Sequence, residues 1–172
     1  LFAAVAVVAY SVDVATKVWA VNHLEGRAPT PLIGDLLRLN LTHNPGAAFS
    51  TGTQFTVALS ILALVAIVVV LGFARRIASR GWAVALGLLL GGVGGNFTDR
   101  LIRDPGPFRG HVVDFLQLPH WPIFNVADMC IDAAAVLIVL LTLRGIGLDG
   151  HRTHRDAHAE PAPAAGGEQD DP

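Results

Sequence analysis

Two aspartates in the second half of the chain are the residues whose type and position most clearly predict chemistry. Asp114 lies in His111-Val-Val-Asp-Phe115, and Asp128 lies in Phe124-Asn-Val-Ala-Asp128, beside or inside the last long apolar stretch. An ionised aspartate at bilayer depth costs at least ~2.5 kcal/mol on insertion scales, so a purely structural role is a poor reason to keep one. Two adjacent carboxylates cannot both ionise easily, so one can act as general acid and the other as general base. We therefore predict shared proton chemistry at Asp114 and Asp128.

Other kinds of reactive group are poorly represented in this chain. Cys130 is the only cysteine and lies between Met129 and Ile131, which favours core packing over nucleophilic catalysis. The histidines have no convincing ligand spacing, so no metal and no cofactor is predicted. The net charge of -2 and the lack of a basic face argue against nucleic acid as a partner. Water must therefore be activated by carboxylates if the protein is an enzyme.

The composition places these carboxylates in a membrane protein. Hydrophobic residues make up 52% of the 172 residues, charged residues only 15%, and the mean hydropathy is +0.52. Four stretches are apolar enough to cross a bilayer, which takes about 20 residues each. They are residues 2–21, 55–73, 82–101 and 125–143. The predicted fold class is an all-α membrane protein with four transmembrane helices.

Glycines in the third stretch indicate how these helices pack. Gly87, Gly91 and Gly95 recur every fourth residue and share one helix face. Glycine costs a helix about 1 kcal/mol in water, so a compensating role is expected. We predict that a neighbouring helix approaches closely along this face, as small residues permit in membranes.

The connections between spans predict a small sheet and an orientation. Residues 37–42 alternate in polarity as a half-buried strand does, Asn44-Pro-Gly46 is typical of a turn, and residues 112–118 form a second candidate strand. A small sheet on the outer membrane face would contain both strands. Arginines 75, 76 and 80 crowd the short second connection, which predicts that it is cytoplasmic. Both termini would then be cytoplasmic, and the carboxylates would lie at the extracytoplasmic face.

The composition changes after residue 144. Residues 145–172 are rich in glycine, alanine, proline, histidine and charge, which cannot bury a core. We predict a four-span membrane domain at residues 1–144 and a disordered cytoplasmic tail at residues 145–172.

Five short motifs, in this order along the chain, resemble one known family. They are Asp13-Val-Ala-Thr-Lys17, Asn44-Pro-Gly-Ala-Ala-Phe49, Gly91-Gly-Val-Gly-Gly-Asn-Phe-Thr-Asp-Arg100, Val113-Asp-Phe115 and Phe124-Asn-Val-Ala-Asp128. The combination resembles bacterial lipoprotein signal peptidase, also called signal peptidase II. The resemblance covers roughly residues 13–143 and leaves the tail unexplained.

The resemblance implies an activity and a set of site residues. It implies an aspartyl peptidase of the bacterial cytoplasmic membrane that removes the signal peptide from prolipoproteins whose cysteine carries diacylglycerol. Asp114 and Asp128 would be the catalytic dyad. It also implies partners limited to that substrate and membrane lipid, and we expect a monomer. The positions implied to support the site or the substrate are Asp13, Lys17, Asn44, Asn96, Asp99, Arg100, Asn125 and Ala127.

The detailed roles of several charged residues remain open at this point. Asp99 and Arg100 are expected to form a buried or interfacial ion pair. Asp13 and Lys17 share a helix face, either as a local ion pair with a lysine that reaches the interface or as a substrate-positioning group. Asp132 lies outside the family motifs, and the sequence does not decide whether it perturbs the dyad or pairs elsewhere.

Two other classes of function compete with a peptidase. Intramembrane carboxylates also act as proton relays, so a small proton-coupled transporter is the main alternative. Against it, the chain shows no repeated halves and no broken helices. A non-catalytic four-span scaffold would explain the glycine face but not the two aspartates.

Overall fold

The computed structural model describes residues 1–46 and 54–152. Its secondary structure consists of four long helices, three short strands and one 3-10 turn. In chain order the helices and strands are α1 (Phe2–Leu24), β1 (Thr30–Ile33), β2 (Leu37–Asn44), α2 (Gln54–Phe73), α3 (Arg80–Ile102), β3 (Val112–Gln117) and α4 (Val126–Leu143). All four helices are long and apolar enough to span a membrane, which confirms the predicted fold class.

Helix α3 occupies the centre of the bundle and packs against α1, α2 and α4. The glycine face predicted from the sequence is the contact with α1. A Cβ built on Gly91 would lie 2.6 Å from Ala9 Cβ, and one built on Gly87 would lie 2.9 Å from the Phe2 carbonyl oxygen. Because real Cβ atoms do not approach so closely, only glycine permits this helix spacing.

The strands form one antiparallel sheet in the order β1-β2-β3. In the pairing of β2 with β3, Thr42 lies opposite Asp114 and Asn44 lies opposite Val112. The two predicted strands are confirmed. Strand β1 was not predicted, because it is only four residues long, includes Pro31 and shows no alternation of buried and exposed positions.

The sheet rests on the end of α1 and thereby fixes β3 over the bundle. Val113 and Phe115 of β3 form a buried apolar cluster with Ala20 and Leu24 of α1. Alternation along β3 then directs Asp114 away from this cluster. The apolar contact therefore determines where the Asp114 carboxylate lies.

The chain after α4 turns back onto the connection between α2 and α3. The carbonyl oxygen of Leu148 accepts hydrogen bonds from the backbone N–H groups of Ala78 (2.9 Å) and Ser79 (3.0 Å). Trp82 Nε1 donates to the Ile146 carbonyl oxygen at 2.8 Å. The disordered tail stays a prediction: residues 145–152 make these contacts, and residues 153–172 lie outside the described residues.

Candidate active site

Asp114 is held on β3 by two side-chain amides. Its side chain is almost fully buried, with 2% of the residue exposed. Oδ1 accepts a hydrogen bond of 2.6 Å from Asn125 Nδ2, and Oδ2 accepts one of 2.9 Å from Asn44 Nδ2. Both partners are neutral, so these two hydrogen bonds orient the carboxyl group without adding a charge.

Asp128 is held by the start of α4. Asn125 is the N-cap of that helix, and its Oδ1 accepts from the Asp128 backbone N–H at 3.0 Å. Asp128 Oδ2 accepts in return from the Asn125 backbone N–H at 3.1 Å, which completes a capping box. The remaining oxygen, Oδ1, accepts from Asn96 Nδ2 at 2.8 Å. A carboxylate at a helix N-terminus also gains from the helix dipole.

Asn125 therefore connects the two aspartates. Its side chain donates to Asp114, and its backbone donates to Asp128. Asn125 Nδ2 also donates to Asn96 Oδ1 at 3.2 Å. This contact orients the Asn96 amide, which in turn donates to Asp128. One fully buried asparagine thus couples β3, α3 and α4 at a single point.

Burial changes the acidity of Asp114. Loss of water around its carboxyl group raises the pKa of Asp114 to about 6, and the nearby charge of Asp128 acts in the same direction. The hydrogen bonds from Asn44 and Asn125 lower the pKa and oppose part of this change. Asp114 thus keeps its proton to a higher pH than an ordinary aspartate.

A buried lysine on α1, Lys17, binds side chains that hold the surroundings of Asp114 and Asp128 in place. Lys17 Nζ lies 2.8 Å from Asp13 Oδ2 and 3.0 Å from Asp99 Oδ2, and it donates to Asn96 Oδ1 at 2.8 Å. Lys17 is only 1% exposed. Of the two alternatives for Lys17, the one in which its side chain reaches the interface is therefore wrong, because two carboxylates in the bundle hold the ammonium group more favourably than the surface would. The ion pair with Asp13 is present.

The two carboxylates beside Lys17 anchor the backbone of the site. Asp13 Oδ1 accepts from the backbone N–H of Ala127 at 2.8 Å, which fixes the first turn of α4. Asp99 Oδ2 accepts from the backbone N–H of Val113 at 3.2 Å, next to Asp114 on β3. Each aspartate of the dyad thus has a neighbouring peptide group fixed by a buried carboxylate.

The expected ion pair between Asp99 and Arg100 is wrong. Asp99 pairs with Lys17 and, at 2.5 Å, with Arg103 Nε. Adjacent residues on a helix point about 100° apart, so Arg100 extends to a different side of α3. Its Nη1 donates to the Gly110 carbonyl oxygen at 3.4 Å.

The two aspartates open onto one cavity of about 730 Å³. Arg100 is the only lysine or arginine that lines it in the described part of the chain. Asn44 and Asn96 also line this cavity, whereas Asp13, Lys17, Asp99, Asn125 and Ala127 do not and support it from behind. Within residues 1–46 and 54–152, no cluster of His, Cys, Asp or Glu side chains could hold a metal ion.

Several contributing residues were not identified from the sequence. His43, Trp121 and Met129 line the cavity, and no motif marked them. Ser60 Oγ donates to the Phe108 carbonyl oxygen at 2.8 Å, and Thr56 Oγ1 donates to the Pro45 carbonyl oxygen. Two hydroxyls four residues apart on an otherwise apolar span were the signal that could have revealed these contacts.

The sequence model of one protein family, described as signal peptidase (SPase) II, matches residues 5–144. The chain belongs to the signal peptidase II family. Proteins named lipoprotein signal peptidase are similar over most of their length. One from Streptomyces coelicolor is 46% identical over 153 residues, covering 89% of this chain and 74% of the relative. One from Mycobacterium avium is 44% identical, covering 91% and 87%.

Solved structures of a bacterial membrane enzyme share the fold of this chain. A bacterial membrane enzyme solved by the in meso method at 1.9 Å resolution superposes with a TM-score of 0.72 at 26% identity. The match covers 81% of this chain and 90% of that enzyme. A second such structure, at 2.3 Å, gives a TM-score of 0.69. The transporter alternative receives no support, and the resemblance seen in the sequence motifs is confirmed.

Proposed function

We propose that this signal peptidase II is an aspartyl endopeptidase that removes signal peptides from prolipoproteins. Its substrate carries diacylglycerol on the cysteine that follows the cleaved bond. The observation that carries the proposal is that Asp114 and Asp128 line one cavity and are joined through Asn125. The relatives named lipoprotein signal peptidase support the substrate class.

The dyad can perform the hydrolysis with one shared proton. The ionised carboxylate takes a proton from a water molecule, whose oxygen forms a bond to the carbonyl carbon before the lipidated cysteine. The protonated carboxyl group then donates its proton to the cysteine nitrogen as the C–N bond breaks. The products are a signal peptide with a free carboxyl group and a lipoprotein with a free amine. Burial favours Asp114 as the holder of the proton, although the titration belongs to the coupled pair.

The surrounding groups make this cavity suitable for a developing negative charge. Arg100 places a cation on the wall that the two aspartates share. Asn44, Asn96 and Asn125 hold carboxylates without adding charge. Preorganised dipoles of this kind need no rearrangement during the reaction, which is a general source of transition-state stabilisation.

The proposal includes a position in the bacterial cytoplasmic membrane. Arginines 75, 76 and 80 lie at the end of the bundle opposite the sheet, which supports a cytoplasmic location for that end. The sheet, the cavity and the dyad would then lie at the extracytoplasmic face, with both chain termini in the cytoplasm. We propose a monomer in contact with membrane lipid and no further partner.

The test is cleavage by the purified protein in detergent. A prolipoprotein with diacylglyceryl cysteine and the same protein without the lipid are supplied separately, and products are identified by mass spectrometry. The proposal predicts a product that begins with the lipidated cysteine and little cleavage of the unmodified protein. No cleavage of either substrate, together with proton flux in peptide-free liposomes, would favour the transporter instead.

A further inference from the structure

A buried hydroxyl near the start of α2, that of Thr56, has no part in the mechanism proposed above. Thr56 is only 1% exposed, whereas most side chains of α2 are exposed. Its Oγ1 donates to the carbonyl oxygen of Pro45, in the turn that follows β2. Thr56 therefore connects a membrane-spanning helix to the turn next to Asn44.

The carbonyl group of Pro45 belongs to the same peptide unit as the N–H group of Gly46. That N–H group donates to Asn44 Oδ1 at 2.8 Å. Because a peptide unit is planar, a hydrogen bond that fixes its carbonyl oxygen also fixes the direction of its N–H group. The hydroxyl of Thr56 thus helps to determine where the acceptor oxygen of the Asn44 side chain lies.

The orientation of the Asn44 amide determines what it presents to Asp114. A side-chain amide has an acceptor oxygen on one side and a donor nitrogen on the other. With Oδ1 bound by the Gly46 N–H group, Nδ2 is directed at Asp114 Oδ2 and donates at 2.9 Å. An amide turned over would place an oxygen against the carboxyl group and lose this hydrogen bond. Three hydrogen bonds in series therefore connect Thr56 to Asp114.

Apolar packing holds the same turn against α2. Gly46 has a φ of +112°, a conformation that favours glycine. A Cβ built on it would lie 2.8 Å from Leu59 Cδ1. Leu59 is three residues beyond Thr56, so both side chains lie on neighbouring parts of one helix face. The Pro45–Gly46 peptide unit is thus held by α2 through one apolar and one polar contact.

We propose that Thr56 is a positioning residue that orients Asn44 towards Asp114 through the Pro45–Gly46 peptide unit. The inference rests on the proposed function, in which Asp114 and Asp128 share one proton. It gives α2 a part in catalysis, although no described residue of α2 lines the active-site cavity.

The experiment measures kcat/KM against pH for cleavage of a diacylglyceryl prolipoprotein by the parent, Thr56→Val and Thr56→Ser. Thr56→Val replaces the hydroxyl by a methyl group of similar size. We expect kcat/KM to fall about fivefold, as for the loss of one neutral hydrogen bond. Asn44 lowers the pKa of Asp114, so a misdirected amide should also move the alkaline limb to higher pH. Thr56→Ser keeps the donor and should retain the parent rate and limb.

Two comparisons distinguish positioning from a general loss of structure. Thr142→Val is the matched control, since Thr142 is exposed and donates at 2.8 Å to the Ile138 carbonyl oxygen within α4. It should keep the parent rate and limb. In an Asn44→Ala background, Thr56→Val should have little further effect on either, because the amide through which it acts is gone. Every variant keeps the charged and titratable groups around Asp114, which are Lys17, His43, Asp99, Arg100, Asp128 and Asp132.

Three results would overturn the inference. Thr56→Val could keep the parent rate and limb, it could lose rate with an unmoved limb, or it could have the same effect with and without Asn44. If Thr56→Val yields no monodisperse protein, the same predictions apply to Thr56→Ala, which removes the hydroxyl without burying a second methyl group. Failure of the proposed function is distinct, because the parent would then cleave no lipidated substrate.

Discussion

Asn125 Nδ2 donates to Asp114 Oδ1 at 2.6 Å, the shortest of the contacts that hold either aspartate of the dyad. The same residue is the N-cap of α4 through its Oδ1. Its Nδ2 therefore donates to Asp114 of the proposed catalytic pair and to Asn96, whereas its Oδ1 caps α4. These two contributions can be separated by substitution.

The substitution Asn125→Ser should distinguish the helix-capping role of Asn125 from its hydrogen bond to Asp114. Serine caps a helix about as well as asparagine, so α4 should keep its cap and the thermal midpoint should fall less than in Asn125→Ala. Its shorter side chain cannot supply both the cap and the donor to Asp114, so kcat should fall by about tenfold or more. Thermal unfolding and steady-state cleavage in the same detergent measure both effects. Asn125→Ala should also lose the helix cap and therefore more stability, and full activity of Asn125→Ser would show that the contact to Asp114 is dispensable.

Gly95 should tolerate no side chain. A Cβ at this position would lie 2.2 Å from Asp13 Oδ2, so Gly95→Ala must displace a carboxylate that anchors both Lys17 and Ala127. We expect loss of monodisperse protein or of activity. Gly94→Ala is the matched control, since its Cβ would meet only Tyr10 Cδ2 at an ordinary 3.6 Å. Size-exclusion profiles and cleavage rates compare the two, and similar behaviour of both variants would refute this packing argument.

Lys17 should be the most costly charge to remove. Lys17→Met leaves Asp13 and Asp99 buried without their shared cation, and breaking a buried pair typically costs about 3–5 kcal/mol. Arg38→Met is the control, because the Arg38 and Asp35 pair is exposed and such pairs contribute about 1 kcal/mol or less. Thermal or denaturant unfolding in detergent measures both. Equal losses of unfolding free energy in the two variants would contradict the claim that the buried ion pairs of Lys17 stabilise the protein more than an exposed pair does.

The pH dependence of cleavage should report the shared proton. The pKa of Asp114 is raised to about 6, so the proton is kept below that pH and lost as the pH rises through it. Activity should therefore fall on the alkaline side, with an apparent pKa that belongs to the pair. Asn44 lowers the pKa of Asp114, so Asn44→Ala should move this limb to higher pH. A profile of kcat/KM against pH measures the shift, and movement to lower pH would contradict it.

The sequence predicted the elements of this protein better than the partners of its charged groups. Spans and glycine spacing follow from local composition, so the four helices and the close approach of a neighbouring helix at Gly87 and Gly91 were correct. The dyad was predicted because carboxylates near a bilayer are rare and costly. That Asp114 and Asp128 share one cavity depends on the fold and became visible only in the structure.

The ion pair expected from adjacency was wrong, whereas the Asp13–Lys17 pair expected from helix spacing is present. Asp99 and Arg100 are adjacent, yet Asp99 binds Lys17, which lies on another helix. One of the two alternatives for Lys17 placed its ammonium group near the interface, as long cationic side chains commonly are, but two buried carboxylates and Asn96 bind it inside the bundle. The contacts of Lys17 with Asp99 and Asn96 join distant parts of the chain, so packing sets them and local spacing does not predict them.

The central claim is that Asp114 and Asp128 together perform the cleavage. The most direct measurement is single-turnover cleavage of a diacylglyceryl prolipoprotein by the parent enzyme, Asp114→Asn and Asp128→Asn, with Asp35→Asn as the exposed-carboxylate control. We predict folded variants of the dyad whose rates fall at least about a hundredfold, as expected for loss of general acid–base catalysis, and a control at the parent rate. Near-parent cleavage by either dyad variant would contradict the account.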